Sequence, residues 1–147
     1  MTATQAFMSA NYAGDTLPKA AWEALSAAPK AQLVDVRTAP EWRFSGTPNL
    51  TSLGKSVHTI SWRHWPDMGV NAGFVEHVTQ QIPDTDAPIY LLCKTGGRSM
   101  EAAIALTQAG YTCCYNVQHG FEGDRNDQGQ RGTVNGWKAD ALAWEQA

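Results

Sequence analysis

The feature that most constrains this chain is an alternation. Short runs of branched and aromatic residues, too short to be helices, alternate with segments whose apolar residues recur at helical spacing. Gln32-Leu-Val-Asp-Val-Arg37 and Pro88-Ile-Tyr-Leu-Leu92 read as buried strands, and residues 56–60 and 111–117 as two more. Helices are expected over residues 16–25, from Thr38 through Glu41, Trp42 and Phe44, from Asn71 through Phe74, Val78 and Ile82 to Pro83, and over residues 99–109 with Gly110 as the stop. A last helix is expected from Trp137 to Glu145. Strands joined through helices run parallel, because each crossover returns the chain to the same end of the sheet, and the helices then cover both faces. The expectation is therefore an α/β three-layer sandwich, with a central, mostly parallel sheet of about five strands flanked by helices.

The chain has 147 residues, 43% of them hydrophobic, enough for one domain with a real core, expected over about residues 14–145. The polar, glycine-rich stretch 124–133 reads as an exposed loop. A net charge of −3 argues against general affinity for nucleic acid or anionic membranes. The first residues lack a basic leader and a long apolar run, so a cytoplasmic protein with no membrane partner is the expectation. Three cysteines, two of them adjacent (Cys113 and Cys114) and none in a C-x-x-C pair, suggest neither a disulfide framework nor a zinc site.

The third cysteine has a different setting. In an open α/β sheet, ligands gather at the carboxyl ends of the strands. Cys93 stands there, directly after Ile89-Tyr-Leu-Leu92, and is followed by Lys94-Thr95-Gly96-Gly97-Arg98-Ser99 and then a helix. The glycines let the backbone curl so that amides converge on one point, and the helix start adds unpaired amides and the positive end of its dipole. Lys94 and Arg98 bring two cations. Each of these features favours a thiolate, so Cys93 is expected to be the nucleophile.

Cys93-Lys-Thr-Gly-Gly-Arg-Ser99 resembles the active-site loop of the single-domain rhodanese-like sulfurtransferases. Leu33-Val-Asp-Val-Arg37 with Glu41-Trp42 and Gly46 resembles that family's upstream strand and helix, and Gly110-Tyr111 through Gly120-Phe121 its last strand and turn. The resemblance implies sulfur transfer from thiosulfate or a similar donor to a thiophilic acceptor, cyanide or a thiol, through a persulfide on Cys93. It implies that Lys94, Thr95, Gly96, Gly97, Arg98 and Ser99 bind the donor, with Lys94 and Arg98 meeting its charge. No metal or organic cofactor is implied; the partners are the small-molecule donor and the acceptor, an acceptor protein among them. Phosphatases and arsenate reductases of similar fold have a loop one residue longer between cysteine and arginine. The shorter loop here suits a sulfur atom better than a phosphoryl group. A non-catalytic rhodanese-like binding module is the alternative from another class.

Asp35 and Arg37 read as structural residues of the strand end, since buried charges usually serve pairing. Cys113 and Cys114 read as packing residues, with a resolving thiol for Cys93 as the other option. The four histidines show no ligand spacing. Asp124-Arg-Asn126-Asp-Gln128-Gly129 echoes the start of a calcium loop, but Asn135 stands where a bidentate Glu is required.

Overall fold

The computed structural model describes residues 11–146. The elements in chain order are β1 (Gly14–Thr16), α1 (Pro18–Ala27), β2 (Gln32–Asp35), α2 (Ala39–Ser45), β3 (Thr47–Pro48), a 3-10 turn (Thr51–Leu53), β4 (His58–Thr59), α3 (Phe74–Gln81), β5 (Ile89–Leu92), α4 (Gly97–Gln108), β6 (Cys114–Val117) and β7 (Trp144–Glu145). Five strands form one sheet in the order β1-β6-β5-β2-β4. Every pairing in it is parallel, as the crossovers require.

The strand period of two divides the core. Along β5, Ile89 and Leu91, followed by Cys93, point to the face covered by α3 and α4, where Phe74, Val78, Ala102, Ala103 and Leu106 pack. Tyr90 and Leu92 point to the other face, against Leu25, Leu50, Phe121 and Trp137. Both faces being buried explains why β5 reads as an uninterrupted apolar run.

Local chemistry sets the helix ends. Thr38 has extended backbone before α2, and the Glu41 carboxylate accepts from the Thr38 N–H at 3.2 Å and from its hydroxyl at 2.9 Å, in the expected capping box. At the end of α1, Lys55 Nζ donates to the carbonyls of Leu25, Ala28 and Ala31 at 2.7–2.8 Å, satisfying acceptors the helix leaves open.

The expected last helix does not form. The apolar spacing of Trp137, Leu142 and Trp144 is helical, but the backbone bonds go elsewhere. Trp137 N–H donates to Gly120 O (2.9 Å) and Lys138 N–H to Phe121 O (3.2 Å). Ala141 takes a positive φ of 59°, which breaks helical geometry. Trp137 is buried and donates its indole N–H to Ala143 O at 2.9 Å. Trp144 and Glu145 then pair antiparallel with Pro48 and Thr47. Tertiary packing of the two tryptophans wins over local periodicity. Stretch 124–133 is a run of turns with mostly exposed side chains, as expected. In it Asn126 Oδ1 accepts from the amides of Gln128 and Gln130, both at 2.9 Å, so it closes a turn of its own.

Candidate active site

Cys93 follows β5 and is 1% exposed. Its Sγ accepts from the Gly96 N–H at 3.1 Å and lies 3.2 Å from Ser99 Oγ. The loop can reach back to the sulfur in three residues because Gly96 adopts φ 115°, a conformation that side chains oppose. α4 begins at Gly97, so the amides of its first turn have no intrahelical partner, and Ser99 in that turn brings its hydroxyl to the sulfur. A helix of 12 residues stands behind them with its positive end toward the cysteine.

The loop is held from behind by the turn after β6. Cys93 O accepts from Phe121 N–H at 2.8 Å, and Lys94 O accepts from Glu122 N–H at 3.0 Å. Gly120 makes this approach possible: a Cβ there would lie 2.5 Å from Cys93 O and 2.6 Å from Lys94 C. The first two carbonyls of the loop therefore point away from the pocket and are satisfied, while the Gly96 amide points toward the sulfur.

Of the expected donor-binding residues, Thr95 and Gly97 are exposed, Lys94 and Gly96 are half-buried, and Ser99 is buried. Among the described residues Lys94 forms no ion pair. Arg98 is paired. Its guanidinium donates to both oxygens of Glu41, at 2.7 and 2.9 Å. The pair is mutually reinforcing. The hydrogen bonds to Glu41 raise the Arg98 pKa against the opposing effect of burial, and the nearby Cys93 sulfur adds to the rise. Burial pushes the Glu41 carboxyl up, but the bonds and charge of Arg98, joined by Thr38, bring it below its ordinary value. Glu41 thus both caps α2 and ties that helix to the cysteine loop. The capping spacing shows the first role; nothing in the sequence signals the second, which links residues 57 positions apart.

Asp35 and Arg37 are fully buried and support the site from β2. Arg37 donates to Asp35 Oδ1 through Nε at 2.9 Å and to Oδ2 through Nη2 at 2.7 Å, and Nη2 also reaches Gly46 O at 2.7 Å. The guanidinium carbon lies 4.3 Å from the centre of the Phe121 ring, on the turn that backs the loop. These bonds hold the end of β2 against Gly46 and the turn that backs the loop.

Cys114 is directly opposite Ile89 in the register of β5 and β6. Cys93 lies four residues farther along β5, roughly 13 Å at strand rise. That span exceeds what a disulfide bridges, so the option of a resolving thiol at Cys114 fails on geometry, and Cys113 lies one residue farther still. A cavity of about 520 Å³ lined by Ala39, Trp42, Arg43, Thr47, Glu145 and Gln146 contains none of the cysteine-loop residues. Two polar residues that the sequence reading passed over sit behind the sulfur: Asn116, buried, and Asp15 on β1. An asparagine inside an apolar strand run was the available signal.

Residues 13–147 match the family model described as STR4 middle domain. The chain is 38% identical over 125 residues to an uncharacterised protein of Rickettsia conorii, covering 85% of this chain and 91% of that one. It is 30% identical over 126 residues to the chloroplastic protein THYLAKOID RHODANESE-LIKE of Oryza sativa, but covers only 24% of that longer protein. Among solved structures, Rv0390 from M. tuberculosis superposes with a TM-score of 0.86 at 46% identity, covering 92% of this chain and 99% of that one. The polysulfide-sulfur transferase homodimer of Wolinella succinogenes superposes with a TM-score of 0.65 at 21% identity, covering 98% and 88%, and shares the fold. Among the described residues no helix is long and apolar enough to cross a membrane.

Proposed function

The chain belongs to the STR4 middle domain family and has the rhodanese-like fold, and on that premise we propose that it is a sulfurtransferase whose carrier is Cys93. One observation carries the reading: Sγ stands at the carboxyl end of a central strand, facing the Gly96 N–H and the start of α4. Such an array of fixed dipoles stabilises an anion on sulfur, whether a thiolate or the outer sulfur of a persulfide.

The reaction has two halves. The Cys93 thiolate attacks the outer sulfur of thiosulfate; the Sγ–S bond forms, the S–S bond of the donor breaks, and its electron pair leaves with sulfite. Cyanide or a thiolate then attacks the outer sulfur of the persulfide. The Sγ–S bond breaks and its pair returns to Sγ, restoring the thiolate, while the acceptor leaves as thiocyanate or as a new persulfide. No external oxidant or reductant is needed. Lys94 is the cation available to the donor; Arg98 contributes its charge from within the pair with Glu41. The loop amides hold the outer sulfur.

The test is the intact mass of the reduced protein after thiosulfate and then after cyanide. A gain of one sulfur atom, removed by cyanide and absent in Cys93→Ser, is the expected result. No gain from thiosulfate or from polysulfide, the second donor to try, would overturn the reading in favour of a binding module.

A further inference from the structure

A line of hydrogen bonds leaves the back of Cys93 and crosses the sheet. Sγ lies 3.2 Å from Ser99 Oγ, and Ser99 Oγ lies 2.6 Å from Asn116 Oδ1. Asn116 Nδ2 donates to Asp15 Oδ1 at 3.0 Å, and the Tyr12 hydroxyl donates to that same oxygen at 3.0 Å. The sheet register builds this line. Asn116 is opposite Leu91 on one side and opposite Asp15 on the other, and it shares a face with Cys114, two residues before it on β6. Neither half of the proposed reaction uses Asp15 or Asn116.

Counting protons shows what the line does. The Ser99 hydroxyl has one proton and faces two acceptors, Sγ and Asn116 Oδ1. A carboxylate only accepts, so Asp15 has to meet the NH2 side of the Asn116 amide, and this turns Oδ1 toward Ser99. Against a neutral thiol the amide oxygen is the stronger acceptor, and its 2.6 Å contact lies at the short end of the O–H···O range, so it takes the proton although Sγ is also within reach. Ser99 then presents lone pairs to Cys93. That arrangement accepts a bond from S–H and opposes S⁻. For Ser99 to donate to a thiolate, it must leave a buried amide oxygen short of its donor.

We infer that Asp15 and Asn116 are positioning residues that hold the Ser99 proton away from Cys93 and thereby restrain formation of the free thiolate. The inference rests on Cys93 being the sulfur carrier for its consequence. Once sulfur is loaded, Sγ is the neutral inner atom of the persulfide and a poor acceptor, while the anion moves to the outer sulfur. Ser99 keeps its proton on Asn116 at no cost in that state. The restraint therefore acts on the empty carrier alone and favours the loaded one.

The measurement is the pH dependence of Cys93 alkylation by iodoacetamide, followed at the Cys93 peptide by mass spectrometry, in the wild type, Asp15→Ala, Ser99→Ala and the double variant. Asp15 is exposed, whereas Ser99→Ala takes a donor from the buried Asn116 oxygen, so the thermal midpoint of each variant is read first and alkylation is followed only below it. The other charged and titratable groups on the elements around the cysteine stay the same in all four proteins: Lys94, Arg98 and Glu101 on the loop and α4, Asp35 and Arg37 at the end of β2, Glu41 on α2, Arg63 after β4 and His119 after β6. Asp15→Ala frees the Asn116 amide to turn over, so that Ser99 donates to the thiolate. The alkylation midpoint should fall, and the rate below the midpoint should rise by roughly tenfold or more, the scale of a hydrogen bond redirected to a charge. In the Ser99→Ala background the same change should leave the rate within about twofold. An equal rise in both backgrounds would show that Asp15 acts through its charge alone, and no rise in either would show that the line carries nothing; both results overturn the inference. Alkylation needs only a thiolate. Loss of sulfur loading from the wild type would thus refute the transferase reading while leaving this result standing, and the reverse also holds.

Discussion

Cys93, just past the end of β5, and Cys114, on the neighbouring β6, face the same layer of helices and are each 1% exposed. By burial they are the same residue, yet their surroundings are opposite. Cys114 opens β6 with Ile89 across from it, and burial pushes its thiol up to about 11, with Thr107 opposing the rise and Cys113 adding to it. Cys93 stands past the end of its strand, where the Gly96 amide and the first turn of α4 meet the sulfur. The difference teaches that hiding a thiol does not decide its chemistry; the dipoles aimed at it do.

The sharpest way to break the comparison is to exchange each sulfur for oxygen. Cys93→Ser should lower sulfur transfer by about a thousandfold or more, with the thermal midpoint little changed, whereas Cys114→Ser should leave transfer within about twofold. Transfer surviving in the first variant, or collapsing in a folded second one, would reverse the assignment.

A smaller effect separates the thiols by pH. At pH 9 native Cys114 has only a small fraction of thiolate, because its pKa is near 11 rather than the ordinary 9.0. Its alkylation should speed up by about fiftyfold when the protein is unfolded in urea at that pH, a gain that shrinks as pH approaches 11. Equal rates in native and unfolded protein would mean that burial at the start of β6 does not protect it.

The smallest effect concerns the tie between the loop and α2. The folded-state pKa of Glu41 lies below its ordinary 4.5, so the Arg98 pair adds stability above that pH and loses it as pH falls through the folded value. Both side chains keep about a fifth of their surface in solvent, 19% and 21%, so Glu41→Gln should cost only about 1 kcal/mol at pH 7, and the difference should shrink as pH falls below 4.5 and vanish below the folded value. Urea midpoints at the two ends of that range check it; a cost that persists at the acid end would show that shape rather than charge holds the loop.

How much of this was legible in the sequence follows the range of each interaction. The run Ile89 to Leu92, the glycines after Cys93 and the helix beyond them are contiguous, so the strand, the loop and the place of Cys93 between them could all be read from a short stretch of sequence. The Thr38–Glu41 cap was equally local. Glu41 holding Arg98 and Asp15 holding Asn116 were not legible, because they depend on which strands become neighbours and in what register. The segment from Trp137 to Glu145 misled for a related reason: its tryptophans repeat like a helix, but their partners are Gly120, Ala143 and the β3 edge. Periodicity describes a segment's faces, not what those faces will meet.

The way Phe121 and Glu122 draw the first carbonyls of the loop backward has an operational consequence. It sorts the peptide dipoles, leaving positive ends forward and negative ends behind. A field made this way does not titrate, and at contact distance it is not shielded by dissolved ions, whose screening acts over about 8 Å at physiological ionic strength. The Lys94 side chain, half-exposed, can be shielded by salt. Salt should therefore weaken capture of an anionic donor while leaving the stabilisation of sulfur already in the cradle intact, so that changes in ionic strength govern how fast the carrier fills rather than how well it keeps its load.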